Sequence, residues 1–274
     1  MRCAWQELLN VLPIRLREQT DTIGKESLQE LRMRLGQPVQ LVCADGELNL
    51  QDAVNAEDLT FVVNAASKYS PWAAQSTRLG YLTARGGHRI GLCGEAVVDG
   101  GRCVGIRKVT SLCIRVARDF PGIAAAMEVR GSILILGPPG WGKTTLLRDL
   151  IRQRSDSGTG SICVVDERGE LFPHGFQRGR RTDVLTGCSK SEGVPMALRT
   201  MGPGTVAVDE ITAPEDANAI LEAIGCGVHI LATAHGASVE DLYRRPEYRV
   251  LMEAKAFQTV IILQQDKSWR TERI

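Results

Sequence analysis

The chain has 274 residues, of which 43% are hydrophobic and 24% charged, so it can bury one large core or two ordinary ones. Its 33 lysines and arginines against 32 aspartates and glutamates leave a net charge of +1, which excludes a global basic field for nucleic acid or anionic lipid. The opening residues lack the layout of a signal peptide, and no apolar run approaches the roughly 20 residues of a spanning helix. We therefore expect a cytoplasmic protein that reaches a membrane only through a partner.

The eight cysteines include no C-x-x-C pair, and several lie within apolar, strand-like runs. This placement predicts buried, reduced thiols. Cys93, Cys103 and Cys113 are evenly spaced, but no histidine pattern accompanies them. We interpret this spacing as successive strands and not as a metal site.

The first part of the chain predicts a small α+β domain with an antiparallel sheet. Helical patterns run over residues 5–17 and 56–69. Extended segments, several of them separated by glycine turns, are predicted at 31–35, 39–43, 81–84, 88–92, 102–106 and 112–116. Proline and glycine at 119–122 interrupt both periodicities, which predicts a linker and a division into domains 1–118 and 119–274.

Beyond the linker, near-continuous apolar strands alternate with helical segments. The strands are predicted at 133–136, 162–165, 206–208, 230–232 and 260–263. Strands of this kind are buried on both faces, which is typical of an α/β domain with a parallel sheet. The tail after Gln264 is polar, and we expect it to be exposed.

A phosphate-binding loop is predicted at 137–144, where G-P-P-G-W-G-K-T matches G-x-x-x-x-G-K-[ST] between an apolar strand and a helix. Its glycines let consecutive main-chain N–H groups point at one phosphate chain. Lys143 is expected to reach the β- and γ-phosphates of ATP, and Thr144 to offer its hydroxyl to Mg²⁺. The nucleotide-binding residues are predicted to be Gly137, Pro138, Pro139, Gly140, Trp141, Gly142, Lys143, Thr144 and Thr145. The alternative, a glycine and proline turn that happens to carry a lysine, does not explain the flanking strand and helix.

Two later strands end in acidic pairs. Asp209 and Glu210 follow the strand at 206–208, where Asp209 can hold Mg²⁺ through its water shell opposite Thr144, and Glu210 can polarise the attacking water. Asp166 and Glu167 end the strand at 162–165, and Glu167 is predicted to assist Glu210. An inserted strand and a glutamate after the magnesium aspartate favour hydrolysis over transfer to a small acceptor.

His235 ends the next predicted strand, at the edge where a γ-phosphate would lie. With Thr233 as its neighbour, its imidazole can sense the phosphate or orient water, although a purely structural histidine remains the alternative. Arg180, Arg181 and Arg199 are weaker candidates to supply transition-state charge, because solvated arginines are commoner.

These motifs together resemble the secretion and pilus-motor ATPases, and more closely the stage III sporulation protein AA family of endospore-forming bacteria. The matching segments run in the same order over both predicted domains. They are GGHRIG (86–91), IRVAR (114–118), GPPG (137–140), KTTLLRD (143–149), VDER (165–168), RTDVL (181–185), DE (209–210) and ATAHG (232–236). The sequence departs from the family at Trp141, where a smaller residue is usual, and at 211–214, which replace a glycine-containing turn.

The resemblance implies a two-domain motor whose P-loop domain is RecA-like, assembled as a homo-oligomeric ring of six subunits. It implies a place in the mother-cell cytoplasm, where the ring would energise a channel or secretion complex by docking on a membrane protein. In such motors the nucleotide lies between subunits, and arginines from a neighbour complete its site. Arg89 and Arg115 lie on the matching strands and are the candidates, with ordinary surface arginines as the alternative.

Two other functions compete with the motor. A RecA-like NTPase associated with nucleic acid could line a groove with Arg148, Arg152 and Arg154. The balanced charge and an aromatic content of 5% argue against it, and we expect no nucleic-acid partner. A small-molecule kinase would need a substrate lid. Two acidic strand ends and the ATAHG segment at 232–236 favour the motor instead.

Overall fold

The computed structural model describes residues 1–67, 80–127, 130–158, 160–173 and 175–274, which form two compact units. The first comprises Met1–Asp119 with Pro173–Phe176, and the second comprises Phe120–Phe172 with Gln177–Ile274. We propose that these units correspond to the domains predicted at 1–118 and 119–274.

The first unit contains a six-stranded sheet in the order β3-β2-β1-β6-β5-β4, in which every pair is antiparallel. Its strands are β1 (Leu28–Arg34), β2 (Pro38–Cys43), β3 (Gly46–Ala53), β4 (Tyr81–Thr83), β5 (Arg89–Asp99) and β6 (Arg102–Arg115). Its α-helices are α1 (Trp5–Val11), α2 (Ile14–Ile23) and α3 (Ala56–Ser67). Leucines of the first two helices pack with those of the sheet in one buried core. The α+β fold with an antiparallel sheet is confirmed.

The elements of this unit differ from prediction in several places. The helix expected over 5–17 is two helices, because Leu12, which precedes Pro13, is extended, with ψ 147°. The strands expected at 102–106 and 112–116 are one strand, β6. β3 was not predicted, because it reads Gly-Glu-Leu-Asn-Leu-Gln-Asp-Ala. This segment has only two leucines among polar residues, and nearly all of it is exposed. Within the described residues the third helix ends at Ser67, and its predicted end at Tyr69 lies outside them.

The glycine-rich segment before β5 has a structural role. Gly86 has φ +84°, and a Cβ there would lie 2.5 Å from the Cβ of Ala4. Buried His88 accepts the Ala117 N–H at Nδ1 (3.1 Å), so its Nε2 carries the proton and donates to the Ala4 carbonyl at 3.0 Å. Burial lowers the pKa of His88, which favours this neutral form. These contacts fix the start of β5.

The second unit contains a seven-stranded sheet in the order β13-β12-β7-β11-β10-β8-β9. Its strands are β7 (Ile133–Leu136), β8 (Ile162–Asp166), β9 (Thr182–Thr186), β10 (Thr205–Val208), β11 (His229–Ala234), β12 (Thr259–Leu263) and β13 (Trp269–Arg273). Its helices are α4 (Lys143–Ser157), α5 (Lys190–Met201), α6 (Pro214–Gly225), α7 (Val239–Tyr243) and α8 (Pro246–Glu253). All pairs are parallel except β12 with β13. The predicted α/β unit with a parallel sheet is confirmed.

The two outermost strands, β9 and β13, were not predicted. β9 carries few apolar side chains, and β13 reads Trp-Arg-Thr-Glu-Arg, so neither has the apolar run that marks the inner strands. The residues after Gln264 are mostly exposed, as expected, but they turn back to pair with β12.

The sheet order brings the carboxyl ends of β7, β11 and β10 together. β11 pairs with β7, where Ala234 is opposite Leu136, and with β10, where Leu231 is opposite Ala207. Because the three strands are parallel, the segments that follow them leave at the same edge. The phosphate loop, the acidic pair at 209–210 and His235 therefore converge there.

All eight thiols lie within the described ranges and are free. The prediction of buried thiols is wrong for seven of the eight, since Cys163 is the one that is fully buried. Cys93 and Cys103 are exposed and lie where β5 and β6 pair beyond the buried part of the sheet, and β5 is exposed at every residue from Cys93 to Asp99. In the described ranges, no helix has the length and apolar character needed to cross a membrane.

Candidate active site

The loop between β7 and α4 ends in an uncapped helix start. Gly140 and Gly142 have φ of +75° and +96°, a region that disfavours side chains. Gly142 is the N-cap residue of α4, and no side chain accepts a hydrogen bond from the helix start there. The first N–H groups of a helix need an acceptor, and the helix dipole favours a negative one. The loop and the start of α4 thus fit a phosphate group.

The remaining loop residues line the same turn. Gly137 is buried and its N–H donates to the Ala234 carbonyl at 3.3 Å. Pro139 and Gly140 are exposed, whereas Pro138, Trp141, Gly142, Thr144 and Thr145 are half-buried. Lys267, between β12 and β13, donates to the Gly140 carbonyl at 3.1 Å. Lys267 was not predicted to be part of the site, because its position depends on the pairing of β13 with β12, which was not predicted either.

Lys143 is 7% exposed and lies at the centre of the site. Its Nζ donates to the Pro138 carbonyl at 3.0 Å and lies 2.9 Å from Nδ1 of His235. Because an ammonium can only donate, Nδ1 accepts and Nε2 of His235 carries the ring proton. That Nε2 lies 2.9 Å from Glu210 Oε2, to which it donates. Three predicted residues are thus joined, and we name them the Lys–His–Glu chain.

The charge on Lys143 is poorly solvated. Burial lowers the pKa of Lys143, and the carboxylates of Glu210 and Asp209 act in the opposite direction. A desolvated ammonium gains most from a new anionic neighbour, because little water competes for it. Lys143 is accordingly suited to an anionic ligand at the loop.

Asp209 is held by hydroxyl groups from two neighbouring elements. Thr233 Oγ1 donates to its Oδ1 at 2.7 Å, and Thr144 Oγ1 lies 3.3 Å from its Oδ2. Carboxylate and hydroxyl oxygens are the ligands that Mg²⁺ prefers. The donor set of Thr144 and Asp209 therefore fits the magnesium ion expected from sequence.

The first acidic pair has a different environment. Asp166 is buried and accepts N–H bonds from the main chain of 170–172 at 2.9–3.1 Å. Burial raises the pKa of Asp166, while the hydrogen bonds from Leu171 and Phe172 act against the rise. Glu167 is 44% exposed and accepts from Lys190 Nζ at 2.5 Å. The contacts of the described residues thus join Glu167 to Lys190 and leave it outside the Lys–His–Glu chain.

Arg89 and Arg115 are directly opposite each other on β5 and β6 of the first unit. The Arg89 guanidinium lies 4.2 Å from the centre of the Tyr81 ring. Arg115 is 64% exposed and its Nε lies 3.2 Å from Glu30 Oε1. Although burial acts to raise the pKa of Glu30, Arg32 and Arg115 lower it below its usual range. The two arginines are close to each other, and their action on a neighbouring subunit stays a prediction.

The arginines proposed to line a nucleic-acid groove instead donate hydrogen bonds to other groups of the second unit. Arg148 and Arg152 are buried, and both donate within the second unit. Arg152 Nε donates to Asp149 at 3.0 Å, and Asp149 in turn accepts the N–H groups of residues 122 and 124. Arg154 donates to main chain, and burial lowers its pKa to about 10. The groove interpretation is therefore wrong for these side chains.

Two residues at the start of α8 also contact the site and were not predicted to do so. Tyr248 OH donates to the Ile211 carbonyl at 2.8 Å, and Arg245 Nη1 donates to the His235 carbonyl at 3.0 Å. Both residues follow a helical pattern with no motif to mark them. Their contacts depend on where α8 packs, which local sequence does not specify.

The comparisons with known proteins agree with one another. The family model described as "Sporulation stage III, protein AA" matches residues 4–272. The Stage III sporulation protein AA of Bacillus subtilis is 37% identical over 281 residues, covering 95% of this chain and 91% of the relative. The match spans both units.

Two solved structures share the fold. The ATPase DotB of Legionella pneumophila aligns with a TM-score of 0.62 and 18% identity, over 96% of this chain and 80% of that one. The pilus retraction motor PilT with bound ADP aligns with a TM-score of 0.64 and 15% identity, over 93% and 80%. These likenesses confirm the predicted RecA-like P-loop fold.

Proposed function

This chain belongs to the Sporulation stage III, protein AA family, and we propose that it is an ATPase that hydrolyses ATP with Mg²⁺ to energise a sporulation channel or secretion complex. The observation that carries the proposal is the Lys–His–Glu chain at the phosphate loop. It places a desolvated cation, an imidazole and a carboxylate in hydrogen-bond contact beside an uncapped helix start.

In the proposed reaction, the loop binds and orients the triphosphate. The main-chain N–H groups of the loop and of the start of α4 hold the phosphate oxygens. Lys143 turns its ammonium from His235 towards the β- and γ-phosphates. Burial of Lys143 strengthens this attraction, because water is largely excluded from the lysine.

Thr144 and Asp209 would hold Mg²⁺, with the aspartate acting through the ion's water shell. When bound, the ion neutralises charge on the phosphates. Thr233 fixes the Asp209 carboxylate through its 2.7 Å hydrogen bond. This bond orients the carboxylate before any ligand arrives.

Glu210 is the residue that directs water at the γ-phosphate. His235 donates to it through Nε2, which fixes the carboxylate while leaving its other oxygen able to accept from water. Once the triphosphate draws Lys143 away, Nδ1 of His235 is free to take up a proton, and the imidazolium can then donate to a γ-phosphate oxygen. Glu167, paired with Lys190, assists from the neighbouring strand end.

The assembly we propose is a homo-oligomeric ring of six subunits in the mother-cell cytoplasm, which docks on a membrane protein of the channel complex. The family and its Bacillus subtilis member support a role in sporulation. The fold shared with DotB and PilT supports a secretion-type ATPase.

We expect the protein to form a ring in ATP and Mg²⁺ and to hydrolyse ATP at a rate that ignores single-stranded DNA. Size and turnover are measured on the same sample, with and without DNA, at two salt concentrations. Hydrolysis without DNA dependence supports the motor. Tight DNA binding that weakens steeply with increasing salt would contradict the motor and favour the NTPase associated with nucleic acid.

Arg89 and Arg115 are proposed to complete the nucleotide site of a neighbouring subunit. Mixing Lys143→Ala chains with Arg89→Ala chains should then restore roughly a quarter of wild-type hydrolysis, since in a head-to-tail ring one interface in four pairs an intact loop with an intact arginine. Arg115→Ala is tested in the same way.

The control mixes Arg89→Ala chains with chains that carry both substitutions. Such rings contain no Arg89 at any interface, so they should stay inactive. Equal activity in the mixture and in this control would show that the arginine acts within its own chain or not at all.

A further inference from the structure

We propose that Tyr248 is a positioning residue that sets the main chain carrying Glu210. The inference rests on the proposed ATP hydrolysis, and it adds a residue that touches neither nucleotide nor water. Tyr248 would act by holding Ile211, the residue that directly follows Glu210.

The geometry of Tyr248 is specific. It is 0% exposed and lies in the first turn of α8. Its hydroxyl has one proton, which it donates to the Ile211 carbonyl at 2.8 Å, while the Thr233 carbonyl lies further away at 3.4 Å. One phenol oxygen thus lies between the segments that end β10 and β11.

The same helix start also holds the main chain at His235. Arg245, the N-cap residue of α8, donates to the His235 carbonyl at 3.0 Å. Its guanidinium lies 5.5 Å from the centre of the Tyr248 ring. Two adjoining side chains therefore bind the main chain next to Glu210 and at His235, which are themselves joined through Nε2.

Two hydrogen-bonding anchors fix the shape of the segment that follows Glu210. Asp216 accepts the N–H groups of Thr212 and Ala213 at 3.1 and 3.3 Å. The Tyr248 hydroxyl supplies the second anchor at Ile211. A buried hydroxyl is costly unless it is hydrogen-bonded, and phenylalanine would fill the same volume. The hydroxyl is therefore best explained by the bond it makes.

Protonation of the phenol is secure. Burial raises the pKa of Tyr248 well above its ordinary value, and the charge of Glu210 adds to the rise. The residue consequently remains a hydrogen-bond donor throughout the range in which the protein would work.

The test compares Tyr248→Phe with Tyr243→Phe, which removes the same hydroxyl from a tyrosine that is 43% exposed. In Tyr248→Phe we expect kcat for MgATP to fall roughly 10- to 100-fold, because small displacements of a catalytic group are costly. The nucleotide Kd should stay within about twofold, since the phosphate loop is untouched. Tyr243→Phe should match wild type in both.

A second readout does not depend on turnover. The ring nitrogens of His235, assigned by their loss in His235→Asn, are followed by NMR in each variant. A displaced Glu210 weakens the Nε2 hydrogen bond, so Tyr248→Phe should shift the Nε2 signal and Tyr243→Phe should not. If Tyr248→Phe proves unstable in thermal melts, Arg245→Met, which removes the donor to the His235 carbonyl, should shift the same signals.

The outcomes separate the two proposals. If the wild-type chain does not hydrolyse ATP, the proposed function is overturned. The shift of the His235 signals in Tyr248→Phe is then the measurement that tests the positioning role. The positioning role is overturned if a folded Tyr248→Phe has the wild-type kcat, or if its His235 signals are the same as in wild type. Either result leaves the ATPase proposal intact. Lower kcat together with proportionally weaker nucleotide binding also overturns it, because a general loss of structure would do the same.

Discussion

Lys143→Ala is expected to abolish measurable nucleotide binding. The substitution removes the buried ammonium of Lys143 from the phosphate loop and leaves the main-chain donors of α4 in place. We expect the Kd for MgATP to rise at least about 100-fold, equivalent to about 2.7 kcal/mol. Titration of a fluorescent ATP analogue measures the change.

The matched control is Lys25→Ala, since Lys25 is an exposed lysine of the first unit. It should bind like wild type. Thermal melts of both variants separate lost binding from lost folding, because Lys143 also donates to Pro138 and contacts His235. A folded Lys143→Ala chain that binds MgATP with wild-type affinity would remove the phosphate loop from the proposed site.

Glu210→Gln is expected to keep nucleotide binding and lose turnover. The amide oxygen of glutamine can still accept from His235 Nε2, so the 2.9 Å contact survives while the carboxylate that polarises water is lost. Loss of such a catalytic group costs roughly 10²- to 10⁴-fold in kcat. Single-turnover hydrolysis and the Kd are measured on the same preparation.

Glu215→Gln supplies the control for this second variant, because Glu215 is exposed at the start of α6. It should hydrolyse ATP at the wild-type rate. Equal turnover in Glu210→Gln and in wild type would show that Glu210 is not the residue that directs water, and Glu167 would then be the carboxylate to test.

Local sequence predicted the parts of the site that depend on local structure. The strand at 133–136 was predicted at its observed bounds. Its apolar run is followed directly by the glycine-rich loop, which marks the end of the strand. Asp209, Glu210 and His235 were predicted to meet because each follows a buried parallel strand. The sheet order then brought these ends together.

Long-range contacts were beyond the reach of the sequence. The Lys143–His235 contact joins residues 92 positions apart, and no spacing rule connects them. Lys267 and Tyr248 reach the site only because β13 pairs back on β12 and α8 packs under β11 and β10. Glu167 was predicted from its place in an acidic pair, but its pairing with Lys190 depends on the position of α5.

The strand β13, one of the two outermost strands of its sheet, has a consequence for solubility. Its free edge would present unpaired main-chain groups on which the strand of another molecule could add. Trp269–Arg273 instead carries charged side chains at three of its five positions, including an Arg270–Glu272 pair at 3.2 Å, and the addition of a strand would take these groups out of water. This short, charged border protects the sheet against uncontrolled polymerisation.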